Sequence, residues 1–117
     1  MKELENEKLL LLNEVRNYLS DKYGVLTYVT AEDRLAYAVK IAYTSFFVED
    51  KPFATSKEFV NRVLKEYPQK STYAGIERSI YRTLEKYSID MNISDGIDLR
   101  RDCVRLAKEF KDQKVIA

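Results

Sequence analysis

Two arginines four residues apart, Arg78 and Arg82, lie in the stretch STYAGIERSIYRTLEKY, residues 71–87. Guanidinium groups one helical turn apart can grip phosphates or guanine edges, because each presents a planar fork of donors. The stretch has helical periodicity: Tyr73, Ile76, Ile80, Leu84 and Tyr87 recur at steps of three and four as an apolar stripe. Away from that stripe lie Ser71, Ala74, Gly75, Arg78, Arg82 and Glu85, with Tyr81 at the flank. A helix that enters a major groove needs small residues in its first turns, so that its backbone can approach, and long cations beyond them. Ser71, Thr72 and the free amides of the first turn could hold a phosphate, with Lys70 just ahead of them. The same face would equally serve as a solvated surface, with Arg78 and Arg82 beside acidic neighbours such as Glu85 and with Gly75 admitting a neighbouring helix.

Other chemistry is poorly provided for. The chain has no histidine, and its one cysteine, Cys103, has no base to activate it and reads as a small core residue. No Gly-rich phosphate loop is present, and no His/Cys spacing suits zinc. Glu32 and Asp33 stand where a helix N-terminus favours carboxylates, and DMNISDG (residues 90–96) does not follow the EF-hand spacing. We therefore expect no enzyme, no cofactor and no metal. The 117 residues suit one domain with its own core, and 45% hydrophobic with 33% charged residues fits a globular chain. A net charge of +1 gives no overall push toward nucleic acid or membrane. The longest apolar run, LLLL at residues 9–12, is too short to span a bilayer, and MKELENEK is no signal peptide, so a cytoplasmic location is expected.

The elements that must position the arginines are all helical, so the expected fold is all-α: a single domain of five helices, with room for a sixth, and a central helix-turn-helix. A first helix runs from about Lys2 to Lys22, with Leu4, Leu11, Leu12, Val15, Tyr18 and Leu19 apolar, and Gly24 stops it. VLTYV (residues 25–29) reads as an extended connector. The second helix starts with Thr30 as N-cap, runs through TSFF and breaks at VEDKPF; its alanines make it the central helix. In the third, Thr55 and Glu58 form a capping box and Pro68 ends the helix. About four residues, PQKS, then separate it from the fourth, which is helix-turn-helix spacing and also that of any tight helical hairpin. The fifth spans about residues 95–111, and residues 112–117 are expected to fray. Seven basic residues oppose five acidic ones over residues 55–90, so positive charge concentrates weakly on the hairpin. The nine tyrosines fall mostly on apolar stripes and suit packing.

The run TYAGIERSIYRTLEKY resembles the recognition helix of the C-terminal DNA-binding effector domain of the sporulation master regulator family, stage-zero sporulation protein A. Thr72, Ile76, Glu77, Arg78, Ile80 and Leu84 match that family's Thr-entry and Val/Ile-Glu-Arg-x-Ile pattern, with Tyr87 in place of its closing aromatic. GVLTYVTAEDRLAYAVKIAY and KEFVNRVLKEY fall where the family has its entry loop, long helix and first helix of the reading hairpin. The likeness covers about residues 23–90. It implies an all-helical domain on promoter DNA, able to bind tandem sites, with Glu77 and Arg78 as matched contact residues. Gly75 and Tyr81 stand where the family has basic residues, so its target sequence is not implied. Only one leucine-rich helix precedes the match, so control by phosphorylation of a receiver domain is not expected.

The expectation is a small sequence-specific DNA-binding transcription regulator. Its partner is double-stranded DNA, read by Lys70, Ser71, Thr72, Gly75, Glu77, Arg78, Tyr81 and Arg82. The N-terminal helix would pack across the domain or form a homodimer contact, and no membrane is involved. The alternative is a non-catalytic protein-interaction module, a phage or mobile-element adaptor or an anti-regulator, using the same hairpin.

Overall fold

A computed structural model describes residues 2–89, 91 and 98–116, with side chains from Glu7 to Lys114 within that span. The side chain of Leu4, the 90–96 loop other than Met91 and the helix start expected at residue 95 lie outside it.

The described residues form five α-helices and no strand: α1 (Lys2–Tyr23), α2 (Thr30–Tyr43), α3 (Ser56–Glu66), α4 (Tyr73–Lys86) and α5 (Leu99–Ile116). The all-α expectation holds. α2 is the hub and packs on each of the other four. Its Leu35, Ala36, Ala38, Val39 and Ala42 are fully buried. Short alanine side chains let neighbouring helices approach closely, while Leu35 and Val39 fill the space between them. Around this axis close Val15 and Leu19 of α1, Phe59 and Val63 of α3, Ile76, Ile80 and Leu84 of α4, and Leu99, Leu106 and Phe110 of α5.

Local signals set most of the ends. Gly24 stops α1 at φ +76°, and its amide reaches back to the Ser20 carbonyl at 2.9 Å. Thr55 caps α3 by accepting from the Glu58 amide at 3.2 Å, while Glu58 accepts from the Ala54 amide one residue before the cap. Four boundaries differ from the sequence reading. Thr30 is the first residue of α2 and not its cap; Val29 precedes it with no side-chain cap bond. After Tyr43 the backbone widens into a π-helical turn, Thr44–Val48, before Pro52. The Glu49 amide closes it on the Thr44 carbonyl at 2.8 Å, and Ser45 Oγ donates to the Lys51 carbonyl. Six residues, 67–72, join α3 to α4 instead of about four. Finally, α5 continues to Ile116 where fraying was expected from residue 112. Lys114 holds that end by pairing with Glu14 at 2.9 Å and lying over the Phe110 and Tyr43 rings.

Candidate nucleic-acid interface

The candidate helix is α4, and its start is built by Thr72. The Thr72 backbone is extended and its hydroxyl accepts from the Gly75 amide at 3.0 Å, which satisfies one of the first-turn donors. That hydroxyl is therefore committed to the cap. The Tyr73 and Ala74 amides, which no preceding turn can reach, remain directed out of the helix end. Gly75 has a local reason: a Cβ there would stand 3.0 Å from the Thr72 hydroxyl and press on the cap.

The first turn of α2 braces α4 from behind. Arg34 donates to Ser71 Oγ at 3.0 Å, to Ser79 Oγ at 2.5 Å and to the Gly75 carbonyl at 3.2 Å. Its guanidinium also lies 5.4 Å from the Tyr67 ring centroid, and the Tyr67 hydroxyl donates to the Thr30 carbonyl at 3.1 Å. Two residues earlier, the buried Glu32 accepts from Lys86 at 2.8 Å and from the Leu26 amide at 2.8 Å. Burial alone would raise the Glu32 carboxyl; the bonds from Lys86, Tyr87 and Leu26 outweigh it and hold it below its ordinary value. Asp33, between them, turns to α1 and takes a bidentate pair from Arg16 at 2.7 and 2.8 Å. Successive helical residues diverge by about 100°. Three consecutive charges can therefore hold three targets: the start of α4, the end of α4, and α1.

This brace divides the eight sequence-predicted residues. Ser71 and Gly75 are half-buried under Arg34, and the Ser71 hydroxyl is already engaged. Tyr81 is half-buried against the core, with its hydroxyl 3.4 Å from Glu85. Lys70, Thr72, Glu77, Arg78 and Arg82 are exposed. Among the described residues neither Arg78 nor Arg82 has an ion pair, and Glu85 faces Tyr81 instead of Arg82. Two other cations counted on the hairpin are occupied: Lys86 by Glu32 and Arg62 by Glu66 at 3.2 Å. Lys57, Lys65 and Lys70 stay exposed. The outward surface is thus narrower than the sequence suggests. It holds Ala74, Glu77, Arg78, Arg82 and Glu85, with Lys70 and the open amides at the head of the helix.

Sequence reasoning missed Arg34 and gave Glu32 only a dipole role. The signal was available: charged residues at 32–34 open a helix whose apolar face is wide enough to be covered on several sides, so some must be buried and paired. The described residues contain no group of acidic, His or Cys side chains able to hold a metal ion. Cys103 is fully buried; burial, with Asp102 close by, pushes its thiol well up, leaving it inert as a nucleophile. No described helix is long and apolar enough to cross a membrane. No protein-family model, curated protein or solved structure matches this chain.

Proposed function

We propose that this chain is a small, non-catalytic DNA-binding protein, a cytoplasmic transcription regulator that places α4 in the major groove. One observation carries the reading: two exposed arginines a turn apart, without ion pairs among the described residues, on a helix pinned from behind near both ends. Pinning matters because a reading helix must hold its side chains in register with the bases, and ordering it on contact would weaken binding. Arg78 and Arg82 reach base edges or phosphates; Lys70 and the first-turn amides take a phosphate. Thr72 and Gly75 shape the helix start, Ser71 serves the Arg34 brace, and Glu77 and Tyr81 border the surface. The likeness of residues 72–87 to the sporulation regulator's recognition helix supports the same assignment. The exposed Leu9 and Leu10 of α1 offer a contact for a second copy, which would double the footprint.

The competing reading is a protein-interaction module, and one patch favours it. Leu26, Tyr28 and Val29, in the connector before α2, are exposed by 59%, 75% and 49%.

Fluorescence anisotropy with a random-sequence duplex separates the two. Binding should be tight at about 50 mM salt and fall steeply by about 200 mM, as counterion release requires. Arg78→Ala with Arg82→Ala should abolish it while leaving the melting temperature within a few degrees, since both side chains are exposed. No binding at low salt, or normal binding by the double variant, would overturn the assignment.

A further inference from the structure

On another side of α2 from the Arg34 brace, a groove of about 500 Å³ opens between α1, the π-helical turn and α3. Its size is that of a small-molecule site. Two polar groups in its wall are buried, one held by a single long ion pair and the other unpaired. Lys40 is only 8% exposed, and its ammonium has one carboxylate near it, Glu66 at 3.8 Å, beyond hydrogen-bond length. Glu66 is also engaged by Arg62. One turn on, the Thr44 hydroxyl is buried with no hydrogen-bond partner at all. Lys40 and Thr44 line the same groove, and Thr44 is the residue at which the π-helical turn begins. Such turns are often found where a helix bends around a functional site. Leu11, Ile41, Val48 and Phe53 supply the apolar part of the wall. Around the opening, Lys8, Lys51 and Arg62 join Lys40 against three carboxylates, which leaves one positive charge uncompensated.

We propose that this groove binds a small apolar monocarboxylate, its carboxylate on the Lys40 ammonium and the Thr44 hydroxyl and its hydrocarbon body along Ile41, Val48 and Phe53. A single negative charge balances the lining. A phosphate or dicarboxylate would meet Glu7 and Glu49, which lie along the same groove. Burial lowers the Lys40 ammonium below its ordinary value, with Lys8 adding to it and Glu66 opposing it. A bound carboxylate would reverse that shift. No residue of α4 lines the groove, so the site stands whether or not α4 reads DNA.

The test is a titration of the full-length protein with hexanoate, followed by two-dimensional amide NMR, with hexan-1-ol as the uncharged probe. Hexanoate should give saturable shifts at Ile41, Thr44 and Ser45, and hexan-1-ol should bind at least about tenfold more weakly. Lys40→Met removes the charge while filling the same space, and should weaken hexanoate at least about tenfold in a protein whose own spectrum shows it folded. Thr44→Val keeps the shape without the hydroxyl and should weaken it several-fold, which also covers the case in which Lys40→Met does not fold. Absence of saturable shifts at these residues, equal affinity for the alcohol, or unchanged binding by a folded variant would each overturn the proposal.

Discussion

Arg34 commits its guanidinium to the inside of the protein, while Arg78 and Arg82 present theirs to solvent. The same residue type does opposite work because of what surrounds it. Arg34 meets a carbonyl and two hydroxyls behind α4, and its planar fork reaches all three; a lysine ammonium is a point charge and cannot. Its Nε, buried without a partner, offsets part of the gain. Arg34→Met keeps the stem and removes the fork, and should cost about 2 kcal/mol in urea unfolding. Arg34→Lys should recover little of that. An unchanged midpoint for both would mean that the brace contributes nothing. At this scale the sequence was legible for exposure and poor for pairing. The outward positions of Arg78 and Arg82 followed from the apolar stripe alone. The burial of Ser71 did not, because it depends on a side chain 37 residues away.

Helix ends in this protein are set by different chemistry at each site, although three of them begin beside a threonine. Thr72 and Thr55 cap α4 and α3 through their hydroxyls, whereas Thr30 makes no cap bond. Thr72→Ala and Thr55→Ala should each lower stability by about 1 kcal/mol, and Thr30→Ala should stay within about 0.5 kcal/mol of the parent. A loss at Thr30 equal to the other two would contradict this division. The positions of the helices were readable because periodic apolar runs alternate with strong stops at Gly24, Pro52 and Pro68. The connection between α3 and α4 came out longer because Pro68 excludes helix at Tyr67, and the Thr72 cap delays the restart. Nothing in TSFFV distinguishes a π-helical turn from an α-helical one. The contacts made there reach beyond the turn: Phe46 meets Phe53, and Lys111 of α5 lies over the Phe47 ring. The far end of α5 was unreadable for a similar reason, since residues 111–114 are polar and their anchor lies on α1.

Across the whole molecule, charge and proton binding concentrate where helices meet. Glu109 of α5 accepts from Tyr23 at 2.7 Å, Tyr18 at 3.1 Å and Lys22 at 3.3 Å, tying α5 to α1. Burial raises its carboxyl, but these donors prevail and hold it below its ordinary value, as happens at Glu32. A depressed carboxylate stabilises the fold above the ordinary glutamate value and loses that contribution as pH falls through its folded value. Burial also raises the phenols of Tyr18, Tyr23, Tyr37 and Tyr67, with Glu109 or Asp33 adding to the shift. The unfolded chain then releases those protons first, and stability falls as pH climbs past the ordinary tyrosine value of about 10. The melting temperature should therefore form a plateau that drops below about pH 4.5 and above about pH 10. Glu109→Gln should make the acid limb shallower; an identical limb would remove Glu109 from the account. The three charges at the head of α2 carry one more consequence, for the order in which the chain can settle. Their partners are Arg16 and the Leu26 amide behind them and Ser71, Gly75, Ser79 and Lys86 far ahead, so this turn is held from both directions along the chain. During synthesis, residues 1–70 would emerge with Arg16, Leu26 and Tyr67 available to this turn, but with the hydroxyl partners of Arg34 and the Lys86 partner of Glu32 still to come. The charged turn therefore completes its pairing only once α4 is made, and α5, which also packs on the hub helix, follows it.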